Sequence, residues 1–223
     1  VLVDRIIDVI LNTKEHLKDA PKEFDKEEHH LLAQRVAEES LVLLKNKDHA
    51  LPLKPEEKVA IIGDFATNMR YQGAGSSVVN PLKVDQINEV IGEYPLKVIG
   101  YEKGFKRYGK KSQRLIDKAL KLAEKADTVL LFVGLDEVTE AEGIDRANIR
   151  LPGNQRDLIS AMYHTGKKIV LVLECGAPIE MPFADRVDAI LHAYLPGEAG
   201  AKAILNILTG KVNPSGKRAE SYP

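Results

Sequence analysis

Five short apolar runs constrain this chain more than any other feature: VAIIGD (59–64), LKVIGY (96–101), TVLLFVG (128–134), KIVLVLEC (168–175) and DAILHAY (188–194). They are rich in β-branched and leucine side chains and do not alternate with polar residues. The strands they form must therefore be covered on both faces. Between them lie stretches with helical spacing at about 84–93, 112–126, 153–165 and 197–209. Buried strands alternating with helices predict an α/β fold, a mostly parallel sheet with helices on both faces. In such sheets ligands sit beyond the C-terminal ends of the strands, so function is sought just after Gly63, Gly134, Glu174 and Tyr194.

The residues upstream of the first run read differently. Val3 to Leu17 carries apolar residues at 6, 7, 10 and 11, the spacing of an amphipathic helix. A charged, proline-containing link, KDAPKEFDKEE, follows, then a second helix expected over His30 to Lys45 and a loop from Asn46 to Pro55. With 44% hydrophobic residues the chain can bury a full core, and its net charge of −1 leaves no footprint for nucleic acid or an anionic membrane. No apolar run is long enough to span a bilayer, and the opening VLVDRIIDVILNT has no signal-peptide pattern. A single cysteine, Cys175, excludes an internal disulfide framework and fits a cytoplasmic location.

Two of the segments that follow strands are unusually long, 64–81 and 135–152, and long loops at the ligand edge of a parallel sheet usually carry function. The first contains YQGAGSSVVNP (71–81). Small residues followed by serines let a ligand approach backbone N–H groups, or simply make a flexible turn. No GxxxxGK[ST] or GxGxxG pattern supports a nucleotide. The second loop crowds Asp136, Glu137, Glu140, Glu142 and Asp145 beside Arg146. It reads either as a solvated acidic face or as the holder of a glutamic acid with a raised pKa, able to protonate a leaving oxygen. The six histidines are scattered, HExxH and GxSxG are absent, and no metal-ligand spacing appears, so neither a metal nor a cofactor is expected. Tryptophan is absent, which leaves Tyr71 or another aromatic residue as the platform for a sugar face.

The string HHLLAQRVAEESLVLLKNKDHALPL (29–53) resembles the entry segment of the second domain of glycoside hydrolase family 3. VAIIGD and GAGSSVVNP are similar to that family's first strand and its glycine–serine loop. EAEGIDRANIRLPGNQRDLI (140–159) resembles its E-x-E-G-x-D-R…L-P-x-x-Q stretch, and residues 166–223 follow its closing half, including PGEAG and NPSGK. The family pattern differs at Ala74, Glu198 and Arg218, where glycine, glutamine and leucine are common.

The resemblance implies about six strands between helices, a flavodoxin-like three-layer sandwich over 58–223. Residues 1–20 would then be the terminal helix of a preceding barrel, and 21–57 the linker and entry helix. It also implies a retaining, exo-acting β-glycosidase of β-glucosidase type, acting on a carbohydrate substrate. The family's nucleophile lies in an N-terminal (β/α) barrel, and its S-D-W type motif does not occur here. Glu142 is the residue the resemblance assigns as general acid/base, with Glu140 as the fallback. Ser76 becomes a ligand for a sugar hydroxyl, and Asp145 and Arg146 a charge pair that fixes the loop. Ser76 and Glu142 are expected to face one cavity. The alternatives are a non-catalytic sugar-binding or interaction module, and a receiver-like domain with Asp64 at its first strand end; neither the acidic pair nor the later lysine of a receiver is evident.

Overall fold

A computed structural model of the chain describes residues 1–20 and 23–223. The expected link and the division between residues 20 and 21 run into residues 21 and 22, which lie outside the described residues. Helix α1 (Leu2–His16) buries none of its side chains, and Ile6, Ile7, Ile10 and Leu11 are all exposed. Helix α2 (Lys26–Ser40) starts where the Asp25 carboxylate accepts from the N–H groups of Glu27 and Glu28, which otherwise have no helical acceptor.

The second helix begins and ends earlier than the expected His30 to Lys45. It stops at Ser40, and Val42–Asn46 forms strand β1, paired antiparallel with Ala189–His192 (β6). A short apolar run such as LVLL suits either state, and the open edge of β6 decides it by offering a ladder. The five remaining strands are those read from the sequence: β2 (Lys58–Ile62), β3 (Lys97–Glu102), β4 (Thr128–Gly134), β5 (Lys168–Glu174) and β6. Together they form a six-stranded sheet in the order β1-β6-β5-β4-β2-β3, parallel except at β1. Every residue of β4 is buried, as continuous apolarity requires of a central strand.

Two groups of helices cover the sheet. α3 (Ile87–Val90) and α2 pack on α6 (Gly200–Leu208), whereas α4 (Gln113–Ala123) packs on α5 (Gly153–Tyr163). His30 on α2 is buried between Asp85 and Glu198, 2.9 Å from each, which gives Glu198 a partner where the family pattern has glutamine. Among the described residues no helix is long and apolar enough to cross a membrane.

The strand order sets where a site can form. From β2 the chain steps outward to β3, then returns past β2 to β4 and continues to β5 and β6. The order therefore reverses between β2 and β4, and loops leaving a sheet on either side of such a point diverge and open a crevice. Those two loops are the long ones, 64–81 and 135–152. Gly63 starts the first at φ +121, and a Cβ there would lie 2.0 Å from the Phe132 carbonyl oxygen of β4, so only glycine fits where the chain leaves the sheet.

Candidate active site

One guanidinium joins the two loops. Arg70 is only 2% exposed, and its three nitrogens donate to main-chain carbonyls: Nε to Gln72 (3.0 Å), Nη1 to Leu135 (2.7 Å) and Nη2 to Glu140 (2.7 Å). Its own N–H donates to Glu174 Oε2 at 2.7 Å, beneath the site. Glu174 ends β5 fully buried, and its Oε1 has no partner among the described residues. Burial raises this carboxyl to about 8.

The five carboxylates of the acidic loop separate by what they touch. Asp136 Oδ1 accepts from Val138 and Thr139 N–H and so closes the turn after β4. Glu137 is gripped by Arg107 through Nη2–Oε1 (2.6 Å) and Nε–Oε2 (3.1 Å), and by the Tyr108 hydroxyl at 2.5 Å. Burial alone would raise its pKa, but the hydrogen bonds from Arg107 and Tyr108 outweigh it and bring the group to about 2. Glu140 accepts from the N–H groups of Gly176 (2.9 Å) and Ala177 (2.6 Å), just after β5. These three are occupied as structural ties.

Glu142 lies at the exposed tip, beyond the ties. Its N–H donates to Ala74 O (3.0 Å), and its Oε2 accepts from the Ser76 N–H (2.7 Å) and from the Ser76 hydroxyl. Oε1 has no hydrogen-bond partner among the described residues. The expected raised pKa is not found. The Ser76 hydroxyl, and then its N–H, stabilise the ionised form and hold the group below its ordinary value, outweighing the small desolvation of an exposed carboxylate.

The two loops meet at one edge, as expected, and Ser76 and Glu142 touch. They do so directly on the surface rather than across a cavity. The expected Asp145–Arg146 pair is absent among the described residues: Asp145 is exposed, and Arg146 Nη1 donates to the Pro178 carbonyl at 3.2 Å. The Nε and Nη2 of Arg146 have no hydrogen-bond partner among the described residues. Beside the site an open depression of about 600 Å³ is lined by Asp64, Tyr71, Gln86, Arg107, Tyr108 and Glu137. Asp64 there is held by Lys103 (2.6 Å) and Arg107 (3.1 Å). Among the described residues no three His, Cys, Asp or Glu side chains converge as a metal ion would need.

Sequence reasoning missed Arg70, Arg107 and Gln155. The side-chain amide of Gln155 exchanges two 2.9 Å hydrogen bonds with the backbone of Gly134 at the end of β4. The LPGNQ motif carried a signal for Gln155. For Arg70 the only hint was a lone arginine entering a glycine-rich loop.

Residues 41–223 match the glycosyl hydrolase family 3 C-terminal domain. The chain is 42% identical over 225 residues to thermostable beta-glucosidase B of Acetivibrio thermocellus, covering 99% of this chain and 30% of that protein. It is 34% identical over 229 residues to an exo-alpha-(1->6)-L-arabinopyranosidase of Bifidobacterium breve, covering 98% of this chain and 30% of the relative. The crystal structure of a Bifidobacterium adolescentis GH3 beta-glucosidase superposes with a TM-score of 0.92 at 36% identity, over 97% of this chain and 32% of that one. The chain thus spans about 30% of the length of the curated relatives it matches. By the family match over most of its length, and by the fold it shares with a solved relative, this chain belongs to glycosyl hydrolase family 3, as a C-terminal domain of β-glucosidase-like enzymes.

Proposed function

We propose that this chain supplies the general acid/base, Glu142, to a retaining exo-acting β-glycosidase whose nucleophile stands on an N-terminal (β/α) barrel. One observation carries the choice. Of the two glutamates two positions apart, Glu140 is bound by two backbone N–H groups, whereas Glu142 keeps an unpartnered oxygen at the exposed tip of the switch-point loop. A carboxyl group must have a free oxygen to exchange a proton with a substrate.

In the first step a barrel carboxylate attacks the anomeric carbon of a terminal non-reducing sugar. The glycosidic C–O bond breaks as Glu142 gives its proton to the departing oxygen. In the second step Glu142 takes a proton from water as that water attacks the glycosyl intermediate and releases the barrel carboxylate. Such a pair stands about 5–5.5 Å apart. A barrel and sugar lying over the tip would desolvate Glu142 and offset the lowering by Ser76, bringing it toward the range an acid needs. Residues 1–20 fit the last helix of that barrel, since an amphipathic helix that buries nothing here has an apolar stripe to place elsewhere.

The chain alone is expected to show no glycoside turnover. Joined to a barrel domain, Glu142→Ala should slow hydrolysis most for substrates with poor leaving groups, and azide should partly restore turnover of activated aryl glycosides. If Glu140→Ala gives that pattern and Glu142→Ala does not, the role passes to Glu140. If neither does, the loop is a solvated face and the chain a non-catalytic module. Steady hydrolysis by the isolated chain would refute the barrel nucleophile.

A further inference from the structure

We propose that the glycine–serine loop, Gly73–Ser76, is a cradle for the protein's own Glu142 carboxylate, and that Ser76 is a positioning residue for the acid/base rather than a ligand for sugar. This rests on the reading of Glu142 as the acid/base.

Three consecutive residues of the loop meet one glutamate that lies 66 positions after Ser76 in the chain. The Ala74 carbonyl accepts the Glu142 N–H at 3.0 Å and fixes its backbone. Gly75, at φ +103, lies against the side chain: a Cβ there would stand 2.6 Å from Glu142 Cβ and 3.0 Å from Oε2. Real side chains do not approach so closely, so any residue larger than glycine would displace the glutamate as well as strain its own backbone. Ser76 then gives both its N–H and its hydroxyl proton to Oε2. A small-residue loop that presents N–H groups suits an anion, and the anion it meets here is internal.

The arrangement makes the two carboxylate oxygens unequal. Oε2 is fixed by two donors. Oε1 is left to carry the proton toward the glycosidic oxygen and to receive one from water. With its hydroxyl proton committed to Glu142, Ser76 has no donor to offer a sugar hydroxyl. Because both donors favour the ionised form, the loop also helps set the pH above which the acid is lost.

Two measurements test this. In the chain itself, the Glu142 carboxyl carbon is followed by NMR as a function of pH. Ser76→Ala should move its titration upward, toward an ordinary glutamate, and Ser76→Thr should restore it. In the barrel-containing enzyme, kcat/KM for a substrate with a poor leaving group is measured against pH. Ser76→Ala should carry the alkaline limb to higher pH with KM little altered. Gly75→Ala should lower kcat by roughly 10- to 100-fold through misplacement of the carboxyl group. A Ser76→Ala enzyme with raised KM and an unmoved alkaline limb would return Ser76 to the role of sugar ligand. An unmoved Glu142 titration in the chain would remove the cradle. If the titration moves but Glu142→Ala leaves hydrolysis intact, the cradle stands and the assignment of the acid/base fails instead.

Discussion

The base and the tip of the acidic loop differ more than their few residues of separation suggest. At the base, Leu135 is fully buried and Asp136 is 5% exposed, and the segment to Glu140 is tied from the ends of three other strands. Arg70 reaches it after β2, Arg107 and Tyr108 after β3, and the Gly176 and Ala177 N–H groups after β5. At the tip, Glu142, Gly143, Ile144 and Asp145 are all exposed, and the glycine–serine loop is what holds Glu142. A rigid base under a free tip is what a site completed by another domain needs. Under the proposed function, such supports aim the Glu142 carboxyl group while the surface it faces stays open.

The comparison breaks most severely if the central tie is removed. Arg70→Ala leaves three carbonyls without donors, that of Leu135 buried and those of Gln72 and Glu140 half-buried, and a fully buried orphan costs about 1–3 kcal/mol. Partial rehydration would recover some of this, so a loss of about 3–5 kcal/mol in denaturant unfolding is expected. A loss below about 1 kcal/mol would mean that the base is not held as described.

The floor of the site gives the next effect, through pH. Glu174 is raised to about 8 by burial, so the folded chain keeps it neutral while the unfolded chain ionises it from about 4.5 upward. The stability it contributes is complete below about 4.5, is lost progressively as pH rises, and is gone above about 8. Glu174→Gln, which cannot ionise, should remove that slope. Relative to wild type it should gain on the order of 3 kcal/mol between pH 5 and pH 8 in urea titrations. Parallel pH curves for the two proteins would show that Glu174 does not titrate as inferred.

The smallest effect sharpens the contrast between the two glutamates. Glu140→Gln keeps one acceptor but turns an amide NH2 toward a backbone N–H donor. It should cost about 1–2 kcal/mol of stability, because hydrogen bonds to a charged group are lost. The corresponding Glu142→Gln substitution, at an exposed carboxylate whose bonds from Ser76 can be replaced by water, should cost less than Glu140→Gln. Equal effects at the two positions would erase the distinction between base and tip.

By itself the sequence determined the five strands from β2 to β6 and the ligand edge. Continuous apolar runs such as TVLLFVG have no polar face to leave in water, so β4 had to be a covered central strand, and the loops after such strands had to emerge together. The ordered motifs from HHLLAQRVAEES to NPSGK carried the family. Strand β1 was not legible, because LVLL suits a helix as well as a strand until the edge of β6 offers it hydrogen bonds. Nor could spacing separate Glu140 from Glu142, reveal Arg70 as the clamp, or show that Arg146 bonds to Pro178 and not to Asp145. The contacts that decide these points join residues far apart in the chain, Arg70 to Leu135 across 65 positions and Arg70 to Glu174 across 104. Local propensity acts over a few residues, whereas a buried guanidinium takes whichever carbonyls the fold brings within 3 Å. Those partners exist only once the sheet has set its strand order.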